Sequence, residues 1–175
     1  DQEPHLEVTR EIARRMNQEY GTDFPEPVRF ATKGEYIPSL TGEGKMSKTV
    51  EGSYINLTDD LDTIRKKIRS VPTATVAGGE KGPGVSALFT FLKLLAPQSV
   101  DHFEREFLQG TLRFVELKDA VAQAIYEELK PLQERRKALE SDPEYVDAII
   151  KEGAQKAKAI AMQTTREVRE KMGLS

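Results

Sequence analysis

Apolar residues recur along most of this chain at helical spacing, interrupted by two polar stretches rich in glycine and proline. At the start, Leu6, Ile12, Ala13 and Met16 form a broken apolar stripe, with Arg10, Arg14 and Arg15 on the polar side. Tyr20-Gly21 supplies a glycine stop, so a first helix is predicted to end there. Residues 21–40 are proline-rich, and Val28 to Ala31 and Tyr36 to Leu40 read as short strands. Pro38 restricts the second to a sheet edge or an irregular end. Tyr54 to Leu57 is a third short β-like piece. Thr58-Asp59-Asp60 then offers an N-cap and first-turn carboxylates to a helix over 61–70, with Leu61, Ile64 and Ile68 on one face.

From residue 71 to 84 the pattern lapses into Pro72, Gly78-Gly79 and Gly82-Pro83-Gly84, which reads as a linker. Apolar helical sequence resumes from Gly84 to Leu95 and stops before Pro97. A short helix is predicted over 99–109, closed by Gly110. Two long helices finish the chain. The first, over 115–140, carries Leu117, Val121, Ala124, Ile125, Leu129, Leu132 and Leu139, with Pro131 expected to kink it. The second runs from Pro143, a good first-turn residue, to about Met172. Its stripe is Val146, Ile149, Ile150, Gly153, Ala154, Ala157, Ile160, Ala161 and Val168, and both stripes read as core. Gly153, Ala157 and Ala161 make a flat strip that a neighbouring helix could approach closely. The fold class expected is an α/β remnant of residues 1–72, a linker over 73–83, and a mostly α-helical bundle over 84–175, predominantly helical overall.

Composition narrows the chemistry. The 175 residues are 38% hydrophobic and 31% charged, with net charge −3, as expected of a soluble helical protein. No apolar run reaches membrane-spanning length, and cysteine is absent, which removes disulfides and thiolate metal sites. His5 and His102 stand far apart, and nothing has zinc-ligand spacing. A cytoplasmic location is expected. The acidic balance argues against general nucleic-acid coating, so any RNA contact would need a local basic patch. Arg65, Lys66, Lys67 and Arg69 form one, and two accounts stay open: complementing the helix dipole, or facing phosphates.

The most informative stretch is Lys45-Met46-Ser47-Lys48-Thr49, with Gly42 and Gly44 before it and Gly52 after it. Two ammonium groups and two hydroxyls on a pliable loop can clamp phosphate oxygens, lysine acting as a flexible point charge. Few apolar anchors lie between Leu40 and Tyr54, so the loop is expected to be poorly held and the chain alone to bind ATP weakly.

This pentapeptide resembles the KMSKS loop of class I aminoacyl-tRNA synthetases, with Thr49 in place of the last serine. The run from Asp1-Gln2 through His5, Thr9-Arg10, Ile12-Ala13 and Arg15 to Asn17 resembles the segment after the Gly-x-Asp-Gln motif of tryptophanyl-tRNA synthetases. Gly84-Val85-Ser86, Leu129 to Arg135 and Glu152 to Ala157 are similar to that family's C-terminal parts. The resemblance implies the C-terminal part of a Rossmann-like catalytic domain followed by a helical anticodon-recognition region, as a fragment lacking the N-terminal half. It implies ATP-dependent attachment of L-tryptophan to its tRNA, with Mg2+, in a homodimeric full-length protein. By residue, Asp1 would contact the ATP ribose, Gln2 the tryptophan ammonium and Ile37 the adenine. Lys45, Met46, Ser47, Lys48 and Thr49 would hold the triphosphate, the two lysines acting catalytically. For Ile37 a plain core role stays equally open. The family's His-x-Gly-His motif is absent from these residues, so the fragment alone is expected to be inactive. Two alternatives remain: a tyrosyl-tRNA synthetase fragment, or a non-catalytic helical tRNA-binding module keeping a relic lysine loop.

Overall fold

Helices dominate the structure, a computed structural model that describes residues 2–32, 34–74 and 79–174. They are α1 (Glu3–Tyr20), α2 (Leu61–Arg69), α3 (Pro83–Leu95), α4 (Val100–Leu108), α5 (Phe114–Glu140) and α6 (Pro143–Lys171), with a 3-10 turn at Pro97–Ser99. The local signals are used much as expected. Asp60 caps α2, its carboxylate accepting from Thr63 N–H at 2.8 Å. Gly21 ends α1 in the left-handed region at φ 65° and Pro143 opens α6; Asp142, not singled out from the sequence, caps α6 through Tyr145 N–H. After residue 84 the described residues are helices, turns and short connections without strands.

The chain forms two compact units, residues 1–31 with 141–175 and residues 32–140. The second holds the hydrophobic core. Ile64 and Ile68 of α2, Val85, Leu88, Phe89 and Leu92 of α3, and Leu117, Val121 and Ile125 of α5 are all buried together. Phe103 and Phe107 of α4 join them, Phe107 meeting Phe89 edge to face. Gly84 sits at the first turn of α3 so close to the preceding chain that an added Cβ would lie 2.0 Å from the Pro72 carbonyl oxygen.

In the other unit, polar contacts fasten residues 22–27 along α1. Asn17 donates to the Phe24 carbonyl at 2.9 Å and accepts from Phe24 N–H and Thr22 Oγ1, each at 2.8 Å. Arg10 donates to the Pro27 carbonyl, and Arg14 grips Glu26 with two nitrogens. The strand expected at Val28 to Ala31 is therefore corrected. Val28 and Phe30 are 83% and 91% exposed, and no ladder pairs this segment. Tyr36 to Leu40 and Tyr54 to Leu57 are not strands either; a single antiparallel bridge, Pro38 to Lys45, is present among the described residues. β-Prone side chains make a strand only where a neighbouring backbone accepts and donates in register.

The two terminal stripes also need correction. On α5 only its first half is buried; Leu129 and Leu139 are partly covered and Leu132 is exposed. The helix runs on through Pro131. On α6 no residue is buried, and Ile149, Ile150 and Ile160 are all exposed. Helical periodicity shows what a helix can bury, while burial requires a surface opposite it. Surface pairs such as Glu152–Lys156 and Arg166–Glu170 run along α6, exposed and screened by solvent. Gly153 has nothing within 4 Å of where a Cβ would stand. Gly153→Ala is therefore expected to stabilise the chain by about 0.5–1 kcal/mol in a urea titration. A loss of stability would mean that something packs closely there.

Candidate functional site

The lysine loop is built on a base of buried serines. Ser39 and Ser53 are each only 1% exposed, in a segment otherwise polar and open. Ser39 N–H donates to the Gly44 carbonyl at 3.0 Å and Met46 N–H to the Ile37 carbonyl at 2.8 Å, which pins the two arms of the loop together. Leu40 N–H donates to the Ser53 carbonyl at 3.0 Å, bringing the far end back to the same base. Gly42, Gly44 and Gly52 take positive φ of 88°, 68° and 73°, where a side chain would be strained. Gly42 also packs against α3, where an added Cβ would come within 3.0 Å of Gly84 N.

Two successive turns carry the functional residues. Val50 N–H donates to the Ser47 carbonyl and Ser53 N–H to the Val50 carbonyl, both at 3.2 Å. Ser47 and Thr49 hydroxyls lie 2.8 Å apart and hydrogen-bond each other. Lys45 and Lys48 are both exposed, one on each side of the Ser47 turn. Met46 is half-buried and packs, with Ile37 and Ile55, against the core. Between Leu40 and Tyr54, Met46 is the apolar residue packed on the core, and buried Ser53 adds a polar anchor that its sequence context did not mark.

The structure brings Ile37 and Lys45 to Thr49 into one unit, with Ile37 bonded through its carbonyl to Met46. Gln2 lies in the other unit, exposed, at the N-cap of α1, where its carbonyl accepts from His5 N–H at 3.1 Å. Asp1 lies outside the described residues.

Supports from distant sequence hold the segment after the loop. Gln133 of α5 donates to the Leu57 and Asp59 carbonyls, both at 2.9 Å. Lys118 Nζ donates to the carbonyls of Arg69 at 2.9 Å and Val71 at 2.7 Å, closing the end of α2; burial lowers its pKa. Lys118 carries no sequence signal, and Gln133, though within the Leu129 to Arg135 stretch, has nothing in the sequence that marks this role. The basic half of α2 is largely paired: Arg65 with Asp62, Lys67 with Asp59, and Arg69 with Asp119. Lys67 also stands over the Tyr54 ring at 5.3 Å. That pairing fits an internal electrostatic role for Lys67.

Asp59 is the titrating member of this base. Burial alone would raise its pKa, but hydrogen bonds from Lys67 at 2.5 Å and from Asn56 N–H and Nδ2 together lower it. A depressed carboxylate contributes stability above its unfolded pKa of about 3.9 and loses it as pH falls toward the folded value. Asp59→Asn is expected to cost about 1–3 kcal/mol at pH 7, with the gap from the unsubstituted chain narrowing as pH falls below about 4. Urea titrations at several pH values check this; a gap independent of pH would contradict it.

Among the described residues no cluster of three or more His, Cys, Asp or Glu could hold a metal ion. No described helix is long and apolar enough to cross a membrane.

An exposed lysine–hydroxyl–lysine loop on a fixed base suits an anionic ligand of phosphate type. Residues 1–130 match the family described as tRNA synthetases class I (W and Y), and the chain belongs to that family. It is 35% identical, over 183 residues, to a tryptophan–tRNA ligase of Treponema pallidum, an alignment covering 100% of this chain and 53% of that protein. Its structure is similar to that of a tryptophanyl-tRNA synthetase from Mycoplasma pneumoniae, with TM-score 0.80 and 26% identity, covering 100% of this chain and 56% of that one. A tryptophanyl-tRNA synthetase from Campylobacter jejuni, solved in complex with ADP and tryptophan, is similar at TM-score 0.72 and 26% identity, covering 99% and 55%. The chain spans about half the length of the relatives it matches.

Proposed function

We propose that this chain works as part of a tryptophan–tRNA ligase, in which it supplies the lysine loop and the helical tRNA-facing region. One observation carries the proposal: exposed Lys45 and Lys48 flank a serine hydroxyl on a buried base, within a chain of the W and Y synthetase family. The reaction joins ATP, L-tryptophan and tRNA to give tryptophanyl-tRNA, AMP and pyrophosphate. In its first step the tryptophan carboxylate attacks the α-phosphorus of ATP, and the bond to the β-phosphate oxygen breaks. Charge builds on the departing pyrophosphate, where two ammonium groups stabilise the transition state more than the ground state.

Residue roles follow the resemblance. Lys45, Met46, Ser47, Lys48 and Thr49 hold the triphosphate, Ile37 touches adenine, Asp1 the ribose and Gln2 the tryptophan ammonium. Residues 1–72 form the end of a Rossmann-like catalytic domain, 84–175 the anticodon-recognition region, and 73–83 the link between them. Mg2+ usually binds through nucleotide phosphates with few protein ligands, so it would arrive with ATP. It would neutralise phosphate charge, and the lysines here would bind and orient the same phosphates. The full-length protein is proposed to act as a cytoplasmic homodimer.

Gly84-Val85-Ser86 and Gly153-Ala154-Gln155-Lys156-Ala157 favour tryptophan over tyrosine as the amino acid. The test joins this chain to the preceding half of its polypeptide and measures pyrophosphate exchange with each amino acid. Exchange with tryptophan, and none from this chain by itself, is the expected result. Faster exchange with tyrosine would instead support the tyrosyl enzyme. No exchange with either would support a non-catalytic tRNA-binding module.

A further inference from the structure

Ser53 lies outside the lysine pentapeptide, yet its side chain meets both backbone groups of the pentapeptide's central residue. Its Oγ donates to the Ser47 carbonyl at 2.6 Å and accepts from the Ser47 N–H at 3.3 Å. The same carbonyl also accepts from Val50 N–H, so Ser47 is held from two directions. At 1% exposure, water cannot replace Ser53 in this arrangement. Its own backbone is fixed in turn, with N–H bonded to Val50 and C=O to Leu40 N–H. Gly52, at φ 73°, makes the bend that returns the chain to Ser47.

We infer that Ser53 is a positioning residue for adenylate formation: it fixes the Ser47 backbone, and so sets where Lys45 and Lys48 stand relative to the triphosphate. This deepens the ligase proposal and rests on it. The lysine side chains are long and exposed, so their placement depends on the backbone between them. A loop displaced by about 1 Å loses much of the benefit of placed charge. Ser53 touches no reacting atom in this scheme; it acts through Ser47.

The test uses the full-length protein with Ser53→Ala and with Ser53→Cys, which keeps a donor and acceptor at the site in a larger, weaker hydrogen-bonding group. Each is assayed for tryptophan-dependent pyrophosphate exchange and followed by thermal melting. The expected result is a fall in kcat of roughly tenfold or more for Ser53→Ala, with a smaller fall for Ser53→Cys. The KM for tryptophan should stay within about twofold, and both variants should remain folded at the assay temperature. A kcat within about twofold of the unsubstituted enzyme would overturn the inference. So would unfolding of both variants, or a loss of kcat matched by loss of tryptophan binding, since either marks a purely structural residue. If the unsubstituted protein performs no tryptophan-dependent exchange, the ligase proposal fails first and this inference falls with it.

Discussion

Lys48→Ala in the full-length protein is expected to slow tryptophan-dependent pyrophosphate exchange by about two orders of magnitude, while tryptophan affinity changes by only a few-fold. The reason is where the charge acts. Lys48 is exposed and lies outside the hydrophobic core, so removing it leaves the fold intact. In the proposed role, what disappears is a positive charge toward a pyrophosphate that gains negative charge only as the bond breaks. Losing one such placed donor typically removes about 3 kcal/mol of transition-state stabilisation. Lys45→Ala should behave similarly. Ser47 and Thr49 should matter less one at a time, because their hydroxyls bond each other and each offers the same kind of group to the proposed ligand. Single-turnover adenylation in parallel with tryptophan binding separates the two effects. An equal loss in both would show that the lysine serves ground-state binding instead.

Gly84→Ala is expected to destabilise the chain by about 3 kcal/mol or more, against the usual preference of helices for alanine. Within a helix, alanine is favoured over glycine by about 1 kcal/mol. At Gly84 the new methyl would stand 2.0 Å from the Pro72 carbonyl oxygen and 3.1 Å from a Val71 methyl, both part of fixed, packed chain. Relief needs a backbone shift at the start of α3, and overpacking of this kind costs about 1–3 kcal/mol or more. That shift also reaches Gly42, whose packing against Gly84 seats the lysine loop. Chemical denaturation of Gly84→Ala beside Gly153→Ala gives two identical substitutions with opposite expected signs. A Gly84→Ala protein as stable as the parent would mean that the Pro72 segment yields easily.

The helices were largely legible because their signals are local. Asp60, Pro143 and Gly21 act within one turn of their own position, and Ile64 and Ile68 show the face of α2 that is buried. The lysine loop stands out in the sequence for a different reason: the five residue types that carry its resemblance are consecutive. What escaped depends on partners remote in sequence. Ser53 is an ordinary serine until it is buried against Ser47. Phe30 and Val28 suit a strand, yet no neighbouring backbone pairs with them, and segment 22–27 lies along α1 through arginine and asparagine instead. The stripe of α6 has the period of a core helix while its isoleucines stay exposed.

Gln133 also sets a constraint in time. It reaches back 76 residues to Leu57 and 74 to Asp59, so the support beneath the lysine loop cannot close until α5 has been synthesised. At about 5–20 residues per second, these bonds therefore wait roughly 4–15 seconds on the ribosome after Leu57 and Asp59 are joined. During that interval the residues that follow the lysine loop are joined but not yet braced. A stalled or truncated product ending before residue 133 would carry the complete pentapeptide without the brace below it.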